Sequence, residues 1–398
     1  MSSAPADAEL PGNDETQILR RLKRTPEIFQ IIQQSAAEPL GLQRQLRSQF
    51  DDDLVRAALA VHTARQRAEG KLPEADKLWL TRVGLEQSTA WEVAQYKAKR
   101  FPADAAVSDL CCGIGVDSAA LAGRGPVDAI DSEASMTLRC SWNAEVWGVG
   151  ARVSARCEDV RSLEWTDGLV HVDPDRRCGR DHAARRLEQY QPDLEWMQTL
   201  CETGYGGALK LGPAANFMQK FPGCDVELIS LNGECREATI WFGALARDEE
   251  FRATALPSGE SLYGSPLMFR APLTDKPQKY VYDPDPAVVR AGLVDALCER
   301  YGLSRLDDEE EYLTSEQLVQ TALAVPFRVN HVLPNKLRQL KSTLRVRPSR
   351  HYEIKCRRIS TNTSAMDRSL PRGDAPPATI LVARCGGKAR IIVGQRIG

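Results

Sequence analysis

Apolar residues recur at helical spacing through the first hundred positions and at strand spacing beyond them. Between residues 15 and 100 the periodicity predicts helices. Val55, Leu59 and His62 share one face there, with Ala58 beside them. Pro26, Pro39 and Pro73 divide the region into several helices, because proline cannot continue a helical hydrogen-bond ladder. From residue 105 to 243 short apolar runs alternate with helical stretches. The runs predict strands at 105–110, 127–131, 151–157, 168–173, 208–211, 226–231 and 237–242. Helical spacing falls at 116–122, 133–147, 193–202 and 214–220. Strand–helix–strand alternation at this spacing builds a mostly parallel sheet covered on both faces. Asn232-Gly233 predicts a hairpin between the last two strands.

Residues 252–278 are rich in proline and glycine and read as a short strand and a connecting arm. Asp285-Pro286 supplies an N-cap and a first-turn proline for a helix running to Tyr301. The acidic run 307–311 reads as a solvated loop. The end of the chain has its own α/β alternation: strands at 325–330 and 352–359, helices at 334–344 and 364–370, and a hairpin of 379–385 with 389–397 around Gly386-Gly387. The expected organisation is a tail over 1–14, a helical domain over 15–100, an α/β domain over 101–270, an arm with a helix over 271–324, and a basic domain over 325–398.

Charge adds a contrast that pattern does not show. The 398 residues carry a net charge of −2. Residues 328–398 hold sixteen Lys and Arg against three acids, a net +13, which leaves −15 on the rest. A basic segment on an acidic body points to nucleic acid. The alternative is a solvated basic surface. Lys336, Arg338, Lys341, Arg345 and Arg347 fall along or just beyond one predicted helix, and Lys355, Arg357 and Arg358 on the next strand. These eight are the candidate phosphate contacts. The eleven cysteines form no C-x-x-C pair and the five histidines are dispersed, so neither a disulfide framework nor a metal site is expected. No apolar run reaches the roughly 20 residues of a membrane span. The first residues lack a basic-then-apolar leader pattern. A reducing cytoplasm is the expected compartment.

Candidate chemistry begins at VSDLCCGIGVD, residues 107–117. A strand ends in Asp109, and a turn with Gly113 and Gly115 opens a helix. Glycines there let backbone approach a ligand. A dinucleotide fingerprint needs a third glycine, and Ser118 stands in its place. The other pattern is an acid at the strand end followed by spaced glycines. Here Asp109 takes the acid position and Cys111 replaces the first glycine. An early acid suits a cofactor with a cationic amine and sulfonium, S-adenosylmethionine, and would repel a pyrophosphate. Asp131, at the tip of the second strand, is placed to accept ribose hydroxyls. Asp159, after the third, is placed to meet an adenine amine or else to cap a turn. The fourth strand ends in Asp173-Pro174-Asp175-Arg176-Arg177, at the sheet edge where ligands of open α/β sheets bind.

These residues resemble class I S-adenosylmethionine-dependent methyltransferases over residues 105–243. DLCCGIG is similar to the D-L-x-C-G-x-G turn of the RNA-modifying branch, and DPDRR stands where that branch has D-P-P followed by an aromatic or arginine. LTRVGLEQSTAWEVAQYKAKRF (80–101), YDPDPAVVRAGLVDAL (282–297) and EYLTS (311–315) extend the resemblance to bacterial methyltransferases with a THUMP-like C-terminal domain. It implies a Rossmann-like seven-stranded methyltransferase sheet, preceded by an all-helical N-terminal region and followed by a small α/β THUMP-like domain. LEQSTAWEVA also resembles a segment of trimethylguanosine synthases that closes over the cofactor. That resemblance makes Gln87, Ser88 and Thr89 its polar contacts here; a buried helix cap is the alternative. Two departures bear on the reaction. No aromatic follows Asp173-Pro174, so stacking on a base would pass to an arginine plane or to Tyr190 or Trp196. No cysteine follows the fifth strand at Lys210-Leu211-Gly212-Pro213, which argues against covalent carbon methylation.

The expected function is methyl transfer to an exocyclic amine or ring nitrogen of a base in tRNA or rRNA. Asp173, the Pro174 carbonyl and Arg177 form the catalytic turn. Asp109, Cys111, Gly113, Gly115, Asp131, Asp159, Gln87 and Thr89 hold the cofactor. A small-molecule or protein methyltransferase and a non-catalytic RNA-binding protein are the alternatives.

Overall fold

The computed structural model describes residues 12–35, 38–176 and 184–397. The chain divides into two compact units, Met1–Cys224 with Ile240–Ala246, and Asp225–Thr239 with Arg247–Gly398. This division is coarser than the boundaries at 100, 270 and 324 expected from composition.

The first unit opens with helices α1 (Gly12–Lys23), α2 (Glu27–Gln34), α3 (Pro39–Arg47), α4 (Asp52–Ala68), α5 (Arg82–Gln87) and α6 (Trp91–Ala98). Helix α1 begins inside the stretch expected as a tail, whose first eleven residues lie outside the described ones. In α4 the buried stripe is Leu54, Val55, Ala58, Val61, Ala64 and Ala68, the 3–4 spacing of an amphipathic helix. It packs with α1 and α2 around Trp79 and Trp142. The α/β alternation follows: β1 (Val107–Leu110), α7 (Val116–Ala122), β2 (Val127–Asp131), α8 (Ala134–Val146), β3 (Val153–Cys157), β4 (Leu169–Val172), α9 (Leu194–Thr203) and β5 (Gly206–Leu211). Strand β1 pairs in parallel with β2 and β4, β2 with β3, and β4 with β5. Every residue of β4 and β5 is buried, the signature of parallel strands covered on both faces.

Four further strands are β6 (Asp225–Leu231), β7 (Glu234–Gly243), β8 (Phe251–Leu256) and β9 (Glu260–Gly264). The sheet order is β3-β2-β1-β4-β5-β7-β6-β8-β9. Its first seven positions are the seven expected strands. Strands β8 and β9 extend it, as an antiparallel pair inside a stretch that reads as one strand and an arm. The β6–β7 turn is Asn232-Gly233, both with positive φ (54° and 79°), as a two-residue hairpin turn of that composition requires.

In the second unit a seven-stranded sheet has the order β11-β12-β10-β13-β16-β15-β14. Its strands are β10 (Tyr280–Pro284), β11 (Ser304–Arg305), β12 (Leu313–Ser315), β13 (Ala324–Pro334), β14 (Tyr352–Cys356), β15 (Ala378–Cys385) and β16 (Lys388–Arg396). Helices α10 (Pro286–Arg290), α11 (Val294–Tyr301), α12 (Leu337–Val346) and α13 (Thr363–Arg368) complete it.

Three expectations are corrected. Residues 214–220 form turns, not a helix: Ala215, Phe217 and Phe221 are buried at spacings of two and four, and the Asn216 side chain accepts from the Leu187 N–H. The helix capped by Asp285, whose Oδ1 accepts from Ala287 N at 2.8 Å, stops at Arg290 and resumes at Val294, across Gly292 in the left-handed region. The acidic run is not solvated throughout. Glu310 is fully buried and its carboxylate accepts from the backbone N–H groups of Glu311 and Arg384. Burial raises its pKa, against the pull of those donors.

Candidate active site

The site is built at the carboxyl ends of β1, β2, β4 and β5. After Leu110 the chain turns through Cys111 (φ 61°), Gly113 (φ 55°) and Gly115 (φ 84°) into α7. The two glycines serve different ends. A Cβ on Gly115 would meet Cys140 Sγ at 2.7 Å and Cys140 Cα at 2.9 Å, so this glycine lets the turn pack on α8. A Cβ on Gly113 would meet nothing within 4 Å, so this one borders open space that a ligand can enter. Asn143 on α8 fixes the turn from behind, donating to the Ile114 carbonyl at 2.9 Å. At the tip of β2, Asp131 Oδ2 accepts from Gly113 N at 2.9 Å and Oδ1 from Glu133 N at 3.0 Å. Burial raises the Asp131 pKa while these two N–H groups oppose the rise. The Cys111 thiol is pushed far above its usual pKa, first by burial, then by Asp131, Asp173, Asp109 and Asp175. Acids thus gather at this mouth, and acids beside an open glycine cradle fit a cationic nucleoside cofactor.

Asp109 does not present its carboxylate to that space. It is 1% exposed; Oδ2 accepts from the Ser118 hydroxyl, and Oδ1 lies 2.7 Å from His171 Nδ1. His171 Nε2 lies 3.2 Å from Lys97 Nζ, which is 3.0 Å from Asp117 Oδ1. An ammonium only donates, so Nε2 accepts and Nδ1–H donates to Asp109. Thr89 Oγ1 donates to Asp117 Oδ2 at 2.5 Å. Burial alone would raise the Asp117 pKa; Lys97 above all, with Lys210 and the Thr89 hydroxyl, outweighs it and holds the carboxyl well below its ordinary range. The expected direct ligands Asp109 and Thr89 thus belong to a buried network that carries the turn. His171, Lys97, Asp117 and Ser118 were missed. Their signal was a lone histidine in the all-buried strand LVHV, which must find polar partners.

The β4 turn is braced at both of its acids. Asp173 Oδ2 accepts from Lys210 Nζ at 2.5 Å, and Lys210 also donates to the Gln87 carbonyl at 3.1 Å. Gln87 Nε2 donates to Asp175 Oδ1 at 2.8 Å. Gln87 therefore closes on the turn, and Ser88 donates to Leu85 O within its own helix end. Pro174 is buried and Asp175 exposed. Arg176 reaches back toward Gly212, where a Cβ would meet its Nη1 at 2.9 Å. Arg177 lies outside the described residues. Tyr190, an alternative stacking residue, has a buried ring, and Trp196 is half-buried on α9. Asp159 is corrected to its capping alternative: Oδ1 accepts from Arg161 N at 3.0 Å, and the Arg161 guanidinium pairs with both oxygens and lowers its pKa.

In the second unit the eight candidate cations separate into two groups. Lys336, Arg338, Arg345 and Arg347 are exposed and Lys341 is half-buried, with no ion-pair partner among the described residues. Lys355, Arg357 and Arg358 are paired internally, which corrects their expected role. Lys355 Nζ and Arg357 Nη2 meet the Asp283 carboxylate at 2.9 and 2.6 Å. Arg357 Nη1 meets Glu311 at 3.2 Å, and Arg358 meets its other oxygen. Burial would lower the Arg357 pKa, but Asp283 and Glu311 raise it. Among the described residues no group of three or more His, Cys, Asp or Glu could hold a metal ion, and no helix is long and apolar enough to cross a membrane.

A parallel sheet of this order, with a glycine turn after its first strand and an acid at the tip of its second, defines a nucleoside-cofactor enzyme of the methyltransferase class. Residues 324–396 match the THUMP domain-like family. Two S-adenosylmethionine-dependent methyltransferases of Mycobacterium tuberculosis, from strains CDC 1551 and H37Rv, are each 31% identical over 364 residues, covering 86% of this chain and 96% of theirs. The crystal structure of a putative methyltransferase from Porphyromonas gingivalis W83 superposes with a TM-score of 0.76 at 19% identity, covering 98% of this chain and 100% of that one, and so shares the fold. The chain belongs to the S-adenosylmethionine-dependent methyltransferases and carries a THUMP-like domain at its C-terminus.

Proposed function

We propose that this methyltransferase modifies a base nitrogen, an exocyclic amine or ring nitrogen, in tRNA or rRNA. The observation that carries the reading is the exposed basic face of α12 in the THUMP-like domain, without an ion-pair partner among the described residues, joined in one chain to a DPD turn braced by Lys210 and Gln87. S-adenosylmethionine supplies the methyl electrophile. The backbone of Cys111–Gly115 cradles it and Asp131 accepts from its ribose. Asp173 Oδ1, the oxygen Lys210 does not hold, accepts a hydrogen bond from the target N–H together with the Pro174 carbonyl. That bond aims the nitrogen lone pair and keeps a carboxylate at hand for the departing proton. Orientation is the main demand on the protein, because the cofactor carries the reactive bond. Asp109, Gln87 and Thr89 act behind this layer, as supports of the two turns.

The test is nucleoside mass spectrometry of tRNA and rRNA from a strain lacking the gene. One methylated nucleoside should disappear and return with the wild-type gene but not with Asp173→Ala. An unchanged RNA profile would discard the RNA reading and leave a small-molecule or protein substrate, which the internal pairing of Lys355, Arg357 and Arg358 would then favour.

A further inference from the structure

Lys210 is the one lysine in the apolar β5 run GGALKL, and it is 6% exposed. A buried ammonium needs a reason. Its Nζ lies between two pieces of the site, the Asp173 carboxylate at 2.5 Å and the Gln87 carbonyl at 3.1 Å, and its charge also acts on Asp117. We propose that Lys210 is a positioning residue of the methyl-transfer site: it fixes Asp173 by one oxygen and cancels its charge at the cofactor mouth. This rests on the placement of the cofactor beside Asp173.

The consequence concerns substrate and product. S-adenosylmethionine carries a sulfonium charge that S-adenosylhomocysteine has lost. A bare carboxylate at Asp173 would favour the charged substrate over its neutral product. With Lys210 paired to it, the two ligands meet a compensated site. Asp173 is then free to act on the target nitrogen, without being drawn to the sulfonium.

Calorimetry of the full chain with each ligand tests this through the ratio of their dissociation constants. Lys210→Met should move the ratio toward S-adenosylmethionine by about tenfold, the scale of one uncompensated charge at a partly screened site. Asp173→Asn, which strands the ammonium, should move it the opposite way. The double substitution should return it close to wild type, and Lys210→Arg should keep it there. A packing defect alone would weaken both ligands alike and leave the ratio unmoved. If Lys210→Met does not fold, Lys210→Gln, which retains a donor without the charge, reads the same quantity. An unmoved ratio in the Lys210 variants with a shifted one in Asp173→Asn would overturn the role of Lys210 and leave the cofactor placement standing. An unmoved ratio in all of them would take Asp173 away from the sulfonium and overturn the placement as well.

Discussion

At the scale of single residues, the turn between β1 and α7 separates a binding glycine from a packing glycine. Gly113→Ala adds a methyl to open space in a left-handed backbone, at a cost of about 1 kcal/mol. Its main effect should fall on the cradle, with S-adenosylmethionine affinity dropping at least tenfold and the melting temperature by only a few degrees. Gly115→Ala places a methyl 2.9 Å from the Cys140 backbone, where no side-chain rotation relieves it. That variant should lose about 2 kcal/mol or more of stability, from backbone strain and overpacking together. Denaturant melts and calorimetry of the two variants check the contrast; equal loss of stability would show that Gly113 also packs. Both glycines are legible in the sequence as a motif. Which one faces the ligand is not, because that depends on where α8 carries Cys140.

At the scale of elements, helix α12 and the segment from Lys355 to Arg358 at the end of β14 both carry cations, and the structure gives them different work. Each phosphate neutralised on a single-stranded RNA contributes about −0.7 to the slope of log affinity against log salt. Four exposed cations, Lys336, Arg338, Arg345 and Arg347, should therefore give a slope of about −3 with tRNA or rRNA. Replacing all four by glutamine should flatten it. Arg357→Met should leave the slope in place and destabilise the domain by about 2 kcal/mol, since Asp283 and Glu311 lose a partly buried partner. Salt titrations by filter binding, with thermal melts alongside, separate these outcomes. A flat wild-type titration would remove RNA from the reading. Sequence spacing put five of the cations along or just beyond one helix and three on the next strand, but that strand stops at Cys356, short of Arg357 and Arg358. It did not show that β10 and the 307–311 loop bring acids to the second one, because those partners lie 46 to 74 residues away along the chain.

At the scale of the whole molecule, the second unit does not end cleanly where its charge begins. A cut at residue 328 falls inside β13, which pairs with β10 on one side and β16 on the other. It also removes the cations that meet Asp283 and Glu311, and the Arg384 N–H that meets Glu310. A chain ending at 327 should therefore lose the fold of the second unit, seen as a lost cooperative transition in circular dichroism; retention of that transition would show that the rest of the second unit folds without the basic domain.

The sequence by itself determined the parallel sheet, because strands buried on both faces must be written as apolar runs and the helices between them carry 3.6-residue periodicity. It also determined the glycine turn, the acid-tipped strands and the basic C-terminal module. Only the tertiary structure decided what each acid does. Asp109 points into a network with His171 and Ser118, Asp159 caps its own turn, and Asp173 is held by a lysine from the next strand. The reason is physical: local pattern sets which face a side chain leaves from, but the partner it meets comes from a strand or helix remote in sequence. An ionised group takes its role from that partner.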